Sequence, residues 1–173
     1  MVPFIPTTNA VCTSMKSEDA THDFDFLFGS WRVRHRRLKE RLARCDQWEE
    51  FSGTSCAQPL LGGQGNVDDN VIELPTGSYR AATFRAFDPK TGKWAIWWLD
   101  GRTPHGVEAP MIGQFENGVG TFHADATFKG TPIRVRFLWS RITPQACRWE
   151  QAFSTDCGRT WETNWEMDFT RMA

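Results

Sequence analysis

His35 is the residue with the most chemistry to offer. It lies in the run Trp31 to Lys39, where residue types alternate. Trp31, Val33, His35 and Arg37 fall on one side of an extended chain, and Arg32, Arg34 and Arg36 fall on the other. Three arginines in a row belong in water, so the alternation turns His35 and Arg37 inward. An imidazole titrates near neutrality and serves as general acid or base when a carboxylate stands beside it. Asp100 and Glu50 are the carboxylates that strand parity could bring to the same interior. The other inward candidates are Thr83, Arg85, Trp98, Gln151 and Thr163. A buried polar group must be paired or put to use, and inward arginines suit an anionic or carbonyl ligand. Two functional outcomes therefore stay open. One is a pocket that binds a small hydrophobic or partly anionic molecule through His35, Arg37, Thr83, Arg85, Trp98, Gln151 and Thr163. The other is a cofactor-free isomerase, lyase or cyclase with His35, Asp100 and Glu50 as catalytic residues. A core histidine with satisfied hydrogen bonds is the plain alternative. The facing of the second, fourth and fifth strands is ambiguous from parity.

Other chemistries lack their residues. There is no Gly-x-Ser-x-Gly, no phosphate loop and no His-Glu-x-x-His. Gly62-Gly63-Gln64-Gly65 opens no helix, which removes a dinucleotide role. The five cysteines, Cys12, Cys45, Cys56, Cys147 and Cys157, include no Cys-x-x-Cys pair. That spacing predicts neither a metal site nor a disulfide framework, and fits reduced thiols in a cytoplasm. With 20 Lys+Arg against 21 Asp+Glu the net charge is -1, so no nucleic-acid partner is expected. No window is long and apolar enough for a membrane span, and the start has no basic and apolar leader, so neither membrane nor export is expected.

The elements that would position these residues are strands. The chain has 173 residues, 13% of them aromatic, with nine Trp and thirteen Phe; aromatic side chains suit a half-buried pleated surface. Residues 1–21 show no period and read as a flexible tail, leaving 22–173 as one domain. Phe24 to Phe28 packs four apolar residues into one helical turn that would cap an end. About ten short strands follow, separated by turn signals such as Asp88-Pro89-Lys90-Thr91-Gly92 and Glu116-Asn117-Gly118. On the last strand, parity puts Trp161, Thr163, Trp165, Met167 and Phe169 inward. A helix over Leu38–Leu42 competes with continuation of the first strand. The fold class expected is all-β, a single antiparallel up-and-down barrel.

Gly29-Ser30-Trp31 at the first strand, with Arg171 near the end of the last, resembles the Gly-x-Trp entry of calycin-type barrels, the lipocalins and their intracellular relatives. The resemblance implies that Trp31 closes one barrel end beneath Arg171. FLFGSW (26–31), DPKTGKWAIWW (88–98) and WEMDFTR (165–171) are similar to a bacterial family of uncharacterised calycin-like domains, which has no agreed activity to lend. The haem-binding nitrobindin barrels use a His late in the chain; the last His here is His123, so no haem or other cofactor is expected. Ser154 to Trp161 matches Ser-x-Asp-x-Gly-x-Thr-Trp and resembles the Asp-box hairpin. That resemblance implies structural roles for Asp156, Gly158 and Trp161 beside those of Gly29, Trp31 and Arg171. A homodimer formed through a barrel face, or another protein-interaction role, is the third functional possibility.

Overall fold

The computed structural model describes residues 20–173. The expected tail lies outside them except for its last two residues. Ala20–His22 forms a 3₁₀ turn whose Ala20 carbonyl accepts a 2.9 Å bond from the Trp94 indole. Ten strands follow: β1 (Gly29–Leu38), β2 (Trp48–Leu60), β3 (Gly65–Leu74), β4 (Gly77–Asp88), β5 (Lys93–Asp100), β6 (Met111–Glu116), β7 (Val119–Phe128), β8 (Thr131–Ser140), β9 (Ala146–Ser154) and β10 (Glu162–Arg171). Each pairs antiparallel with its chain neighbours and β10 returns to β1, closing a calycin-like up-and-down barrel. Closure removes sheet edges, which otherwise invite pairing with other chains. No helix among the described residues is long and apolar enough to cross a membrane.

The two barrel ends differ. At the closed end a 3₁₀ turn, Asp25–Leu27, drops Phe24 and Leu27 into the core, 0% and 2% exposed. The Phe24 ring meets Trp94 and Phe115 edge-on, at 5.0 and 4.9 Å between centroids. The Trp31 indole donates to the Leu27 carbonyl at 2.7 Å. Arg171 lies 4.1 Å over the Trp31 ring and donates to the carbonyls of Phe26, Phe28 and Pro144. This one side chain ties the plug, β1, β10 and the β8–β9 link together, and the cation over the indole adds about 0.5–2 kcal/mol. Gly29 has φ +104°, and a Cβ there would stand 3.0 Å from Arg171 Nη1, so only glycine turns the chain this tightly.

At the open end β1 stops at Leu38, and residues 39–47 form an irregular link in place of the competing helix. Leu42 and Arg44 take left-handed φ values, and Leu42 packs on the core while its N–H donates to Glu162 Oε1 at 2.8 Å. β10 carries a bulge between Thr163 and Trp165. A bulge adds one residue and reverses the facing beyond it. Thr163 is therefore opposite Ala152, on the outward row with Arg136 and His123, and not inside as parity predicts. Trp161 is turned out as well, with Arg136 4.5 Å over its ring. β5 meets β6 only through Trp94–Ile96, so Trp97–Asp100 has no strand on that flank among the described residues.

Candidate functional site

The open half of the barrel holds most of the inward residues that could touch a ligand. His35 lies between Met167 of β10 and Phe51 of β2 in the strand register. Its ring stacks on Phe51 at 4.7 Å, and its Nδ1 accepts a 3.2 Å bond from the Trp165 indole. A nitrogen that accepts from an indole carries no proton, so the neutral ring holds its hydrogen on Nε2. Nε2 looks toward Gly53, where a Cβ would come within 2.8 Å. Burial, and then the neighbouring charge of Arg37, push the His35 pKa down to about 4. The ring is thus neutral at pH 7.

Arg37 pairs with Glu49 at 3.3 Å and lies over the rings of Phe51 and Trp165 at 5.2 and 5.4 Å. Arg41 reaches in from the 39–47 link and lies 5.8 and 5.9 Å over Phe128 and Phe153. Its proton affinity is lowered by burial and then by Arg37, against opposing effects of Tyr79 and Glu162. The Tyr79 phenol is raised above its ordinary range chiefly by burial, with Arg102, Arg37 and Arg41 acting the other way. Arg102 covers Tyr79 at 3.7 Å while gripping Asp100 at 2.6 Å.

The interior polar residues of β3 and β4 form a separate knot nearer the plug. Arg85, 4% exposed, pairs with Asp68 at 2.7 Å, donates to Asn66 at 2.9 Å and lies 5.1 Å over Phe24. Asp68 also accepts from Asn70 and from the backbone N–H of Thr83. Arg85 and Thr83 therefore face inward but are tied into the wall by Asp68 and Asn66, with Arg85 Nε left without a hydrogen-bond partner. Gln151 donates to the buried Asn164 at 2.8 Å. The bulge turns Asn164 into the interior where parity expects Thr163.

Sequence parity expects two carboxylates near His35, and the structure supplies neither. Glu50 is exposed on the outer face beside Arg34 at 3.6 Å. Asp100 stands at the rim, held below the usual carboxylate range by Arg102. The hydrogen bond at His35 comes from Trp165, so the residues of an acid/base pair are present but not brought together. Trp98 does face in, 6.4 Å from Trp165 between ring centroids.

Tyr79, Arg41, Glu49 and Asn164 are inward groups that sequence reasoning missed. Tyr79 shares parity with Ala81, Thr83 and Arg85, which was a usable signal; Arg41 lies in a link without a period.

The turn after β9 is a hydrogen-bonded unit on the outside of this end. Asp156 accepts from the N–H groups of Arg159 and Thr160 and from the Thr160 hydroxyl, and these bonds hold it well below the usual carboxylate range. Ser154 accepts from Gly158, whose φ is +89°. Two surface recesses, of about 260 and 560 Å3, lie at the closed end around Arg171 and are not lined by the inward residues described above. No group of His, Cys, Asp and Glu among the described residues could hold a metal.

No protein-family model matches this sequence, and no curated protein matches it. Among solved structures the chain is similar to the S-type phycobiliprotein lyase CPES from Guillardia theta, with a TM-score of 0.61 at 13% identity. The match covers 87% of this chain and 90% of that one. At that identity the likeness speaks for the fold, and this chain is a ten-stranded calycin-like barrel along almost its whole described length.

Proposed function

We propose that this protein binds a small, largely apolar molecule inside the open half of its barrel. The carrying observation is a contrast in burial. In the closed half Trp31, Trp94, Phe122 and Trp139 are at most 2% exposed, and of the rings around Phe24, those of Phe26 and Phe115 are partly exposed. Inward Tyr79, Trp98, Phe137, Trp165 and Met167 remain partly exposed although the wall of the barrel surrounds them. Apolar side chains left accessible within a concave wall form the usual lining of a ligand site. The assignment to the uncharacterised calycin-like domains belongs with this proposal, as does a cytoplasmic setting, which suits the four free thiols among the described residues.

Titration with the neutral dye Nile red, followed by native mass spectrometry of protein taken directly from cells, tests this reading. Saturable one-to-one dye binding that is abolished by Trp98→Lys is the expected result. Absence of saturable binding, or binding indifferent to that substitution, overturns it.

A second reading has its own observation. The middle of the outer rows of β4 and β5 carries Ala82, Phe84, Ala86, Ala95, Trp97 and Leu99, continued on β6 by Ile112, with the charged Arg80, Asp88 and Lys93 at the ends of the same rows. Phe84 and Ile112 are 40% and 41% exposed. The opposite wall carries the ladders Arg36–Glu166 and Arg148–Asp168. An apolar patch of this kind is self-complementary under a twofold axis, so a second copy of this chain is the occupant it fits. Sedimentation equilibrium of the native chain and of Phe84→Glu decides the point: a dimer abolished by the substitution is expected, and a native monomer at ~100 μM removes the reading.

A further inference from the structure

We propose that the ligand carries an acidic group, a carboxylate or a phosphate, seated at the mouth of the barrel by Arg41, Arg37 and the Tyr79 hydroxyl. This rests on the reading that the open half binds a small molecule, and adds the chemical class. Arg41 is the cation at this mouth that lacks a counter-ion among the described residues. Its guanidinium is half-buried over two phenylalanine rings, yet it makes no hydrogen bond or ion pair among the described residues. The nearby carboxylates are already committed. Glu49 takes Arg37. Glu162 accepts from the backbone of Leu42, and so fixes the link that carries Arg41. Asp100 is held by Arg102.

A guanidinium has five donors, and a pair of them matches the two oxygens of a carboxylate or phosphate. Arg41 therefore presents uncommitted donors, on a tethered segment, at the same open end as the Arg37 guanidinium. Tyr79 packs against the cluster of Phe51, Trp98 and Trp165, over two of whose rings Arg37 lies, and its hydroxyl makes no hydrogen bond among the described residues. Arg37 already has Glu49 as its counter-ion, so an anion at the mouth would give Arg41 the partner it lacks while sharing donors of Arg37 and the Tyr79 hydroxyl. The apolar part of such a ligand would run inward past Trp165 and Trp98.

Matched probes test the proposal: 2-naphthoate, 2-naphthyl phosphate and the neutral 2-naphthamide, followed by quenching of tryptophan fluorescence on the full chain. The expected result is that at least one acid binds about tenfold or more tighter than the amide, which is the scale of a charge-assisted pair. Whichever acid binds tighter names the group. Arg41→Gln should remove most of that preference while changing amide affinity less than twofold, and Tyr79→Phe should remove a smaller part. An amide that binds as well as both acids, or an Arg41→Gln effect equal on acid and amide, overturns the acidic-group assignment and leaves pocket binding intact. If none of the three saturates, pocket binding itself falls, and this proposal with it.

Discussion

The closed and open halves of the barrel are made from the same alternating strands, with aromatic residues on both interiors, but they are filled in different ways. In the closed half a separate piece of chain, the turn at Asp25–Leu27, delivers Phe24 into the middle, and Phe24, Trp94, Phe115, Phe122 and Trp139 meet one another as packed rings. Among the described residues no such plug enters the open half. There the inward aromatic rings pack beside polar groups that bond across the wall: His35 with Trp165, Arg37 with Glu49, and Gln151 with Asn164. Polar pairs fix directions and spacings that apolar packing leaves free, so they hold walls in place without filling the space between them. The difference teaches that aromatic content alone does not distinguish a core from a pocket; what matters is whether another segment of chain fills it.

Unfolding measurements test this contrast most severely. Phe24→Ala removes the centre of the closed cluster and should cost about 3–5 kcal/mol, whereas Trp98→Ala in the partly exposed half should cost about 1–2 kcal/mol. Equal losses by urea titration would show that the two halves are packed alike. The knot beneath the plug marks their boundary. Asp68→Ala leaves the Arg85 guanidinium buried without its partner and should cost about 3–5 kcal/mol, mostly restored when Arg85→Met is added. A double variant as unstable as the single one would show that the knot does more than satisfy its own charges.

The pH dependence of His35 follows in size. Its folded pKa of about 4 lies below the ordinary 6.5, so the fold favours the neutral ring. The stabilisation is present in full above pH 6.5 and is lost as pH falls through the folded value. Between pH 7 and pH 4 the native chain should lose about 3 kcal/mol more than His35→Gln does. Parallel stability curves for the two proteins would place His35 in water and contradict the enclosed wall described for it.

The smallest effect is a rate. Cys147 is buried near the closed end and its thiol is pushed up to about 12, while Cys56 and Cys157 are exposed. Under native conditions Cys56 and Cys157 should alkylate quickly and Cys147 only on unfolding, a difference read by peptide mass mapping.

Much of the barrel was legible from period alone. Period-two alternation broken by Gly, Pro and Asp turns located all ten strands, and the alternation through Trp31, Val33, His35 and Arg37 correctly turned the first of them. The site was less legible, for physical reasons that can be named. One inserted residue in β10 reversed Thr163 and Trp161, and nothing in Thr163-Asn164-Trp165 announces a bulge, because pairing with β9 decides it. The outward facing of Glu50 was ambiguous because Ser, Gly and Thr occupy both faces of β2. Arg41 sits in a link whose path is set by the Leu42–Glu162 bond, 120 residues apart in sequence.

What the chain settles locally, then, is the strands, the turns and the Gly29-Ser30-Trp31 entry, since each depends on neighbours within a few residues. Whether His35 would find a carboxylate, and which cations would gather at the mouth, depended on strand register around a closed barrel. Register is set by contacts between distant segments, and a one-residue slip in it exchanges inside for outside. The histidine with the most chemistry to offer consequently stands beside a tryptophan, and the uncommitted donors belong to an arginine in a link without a pattern.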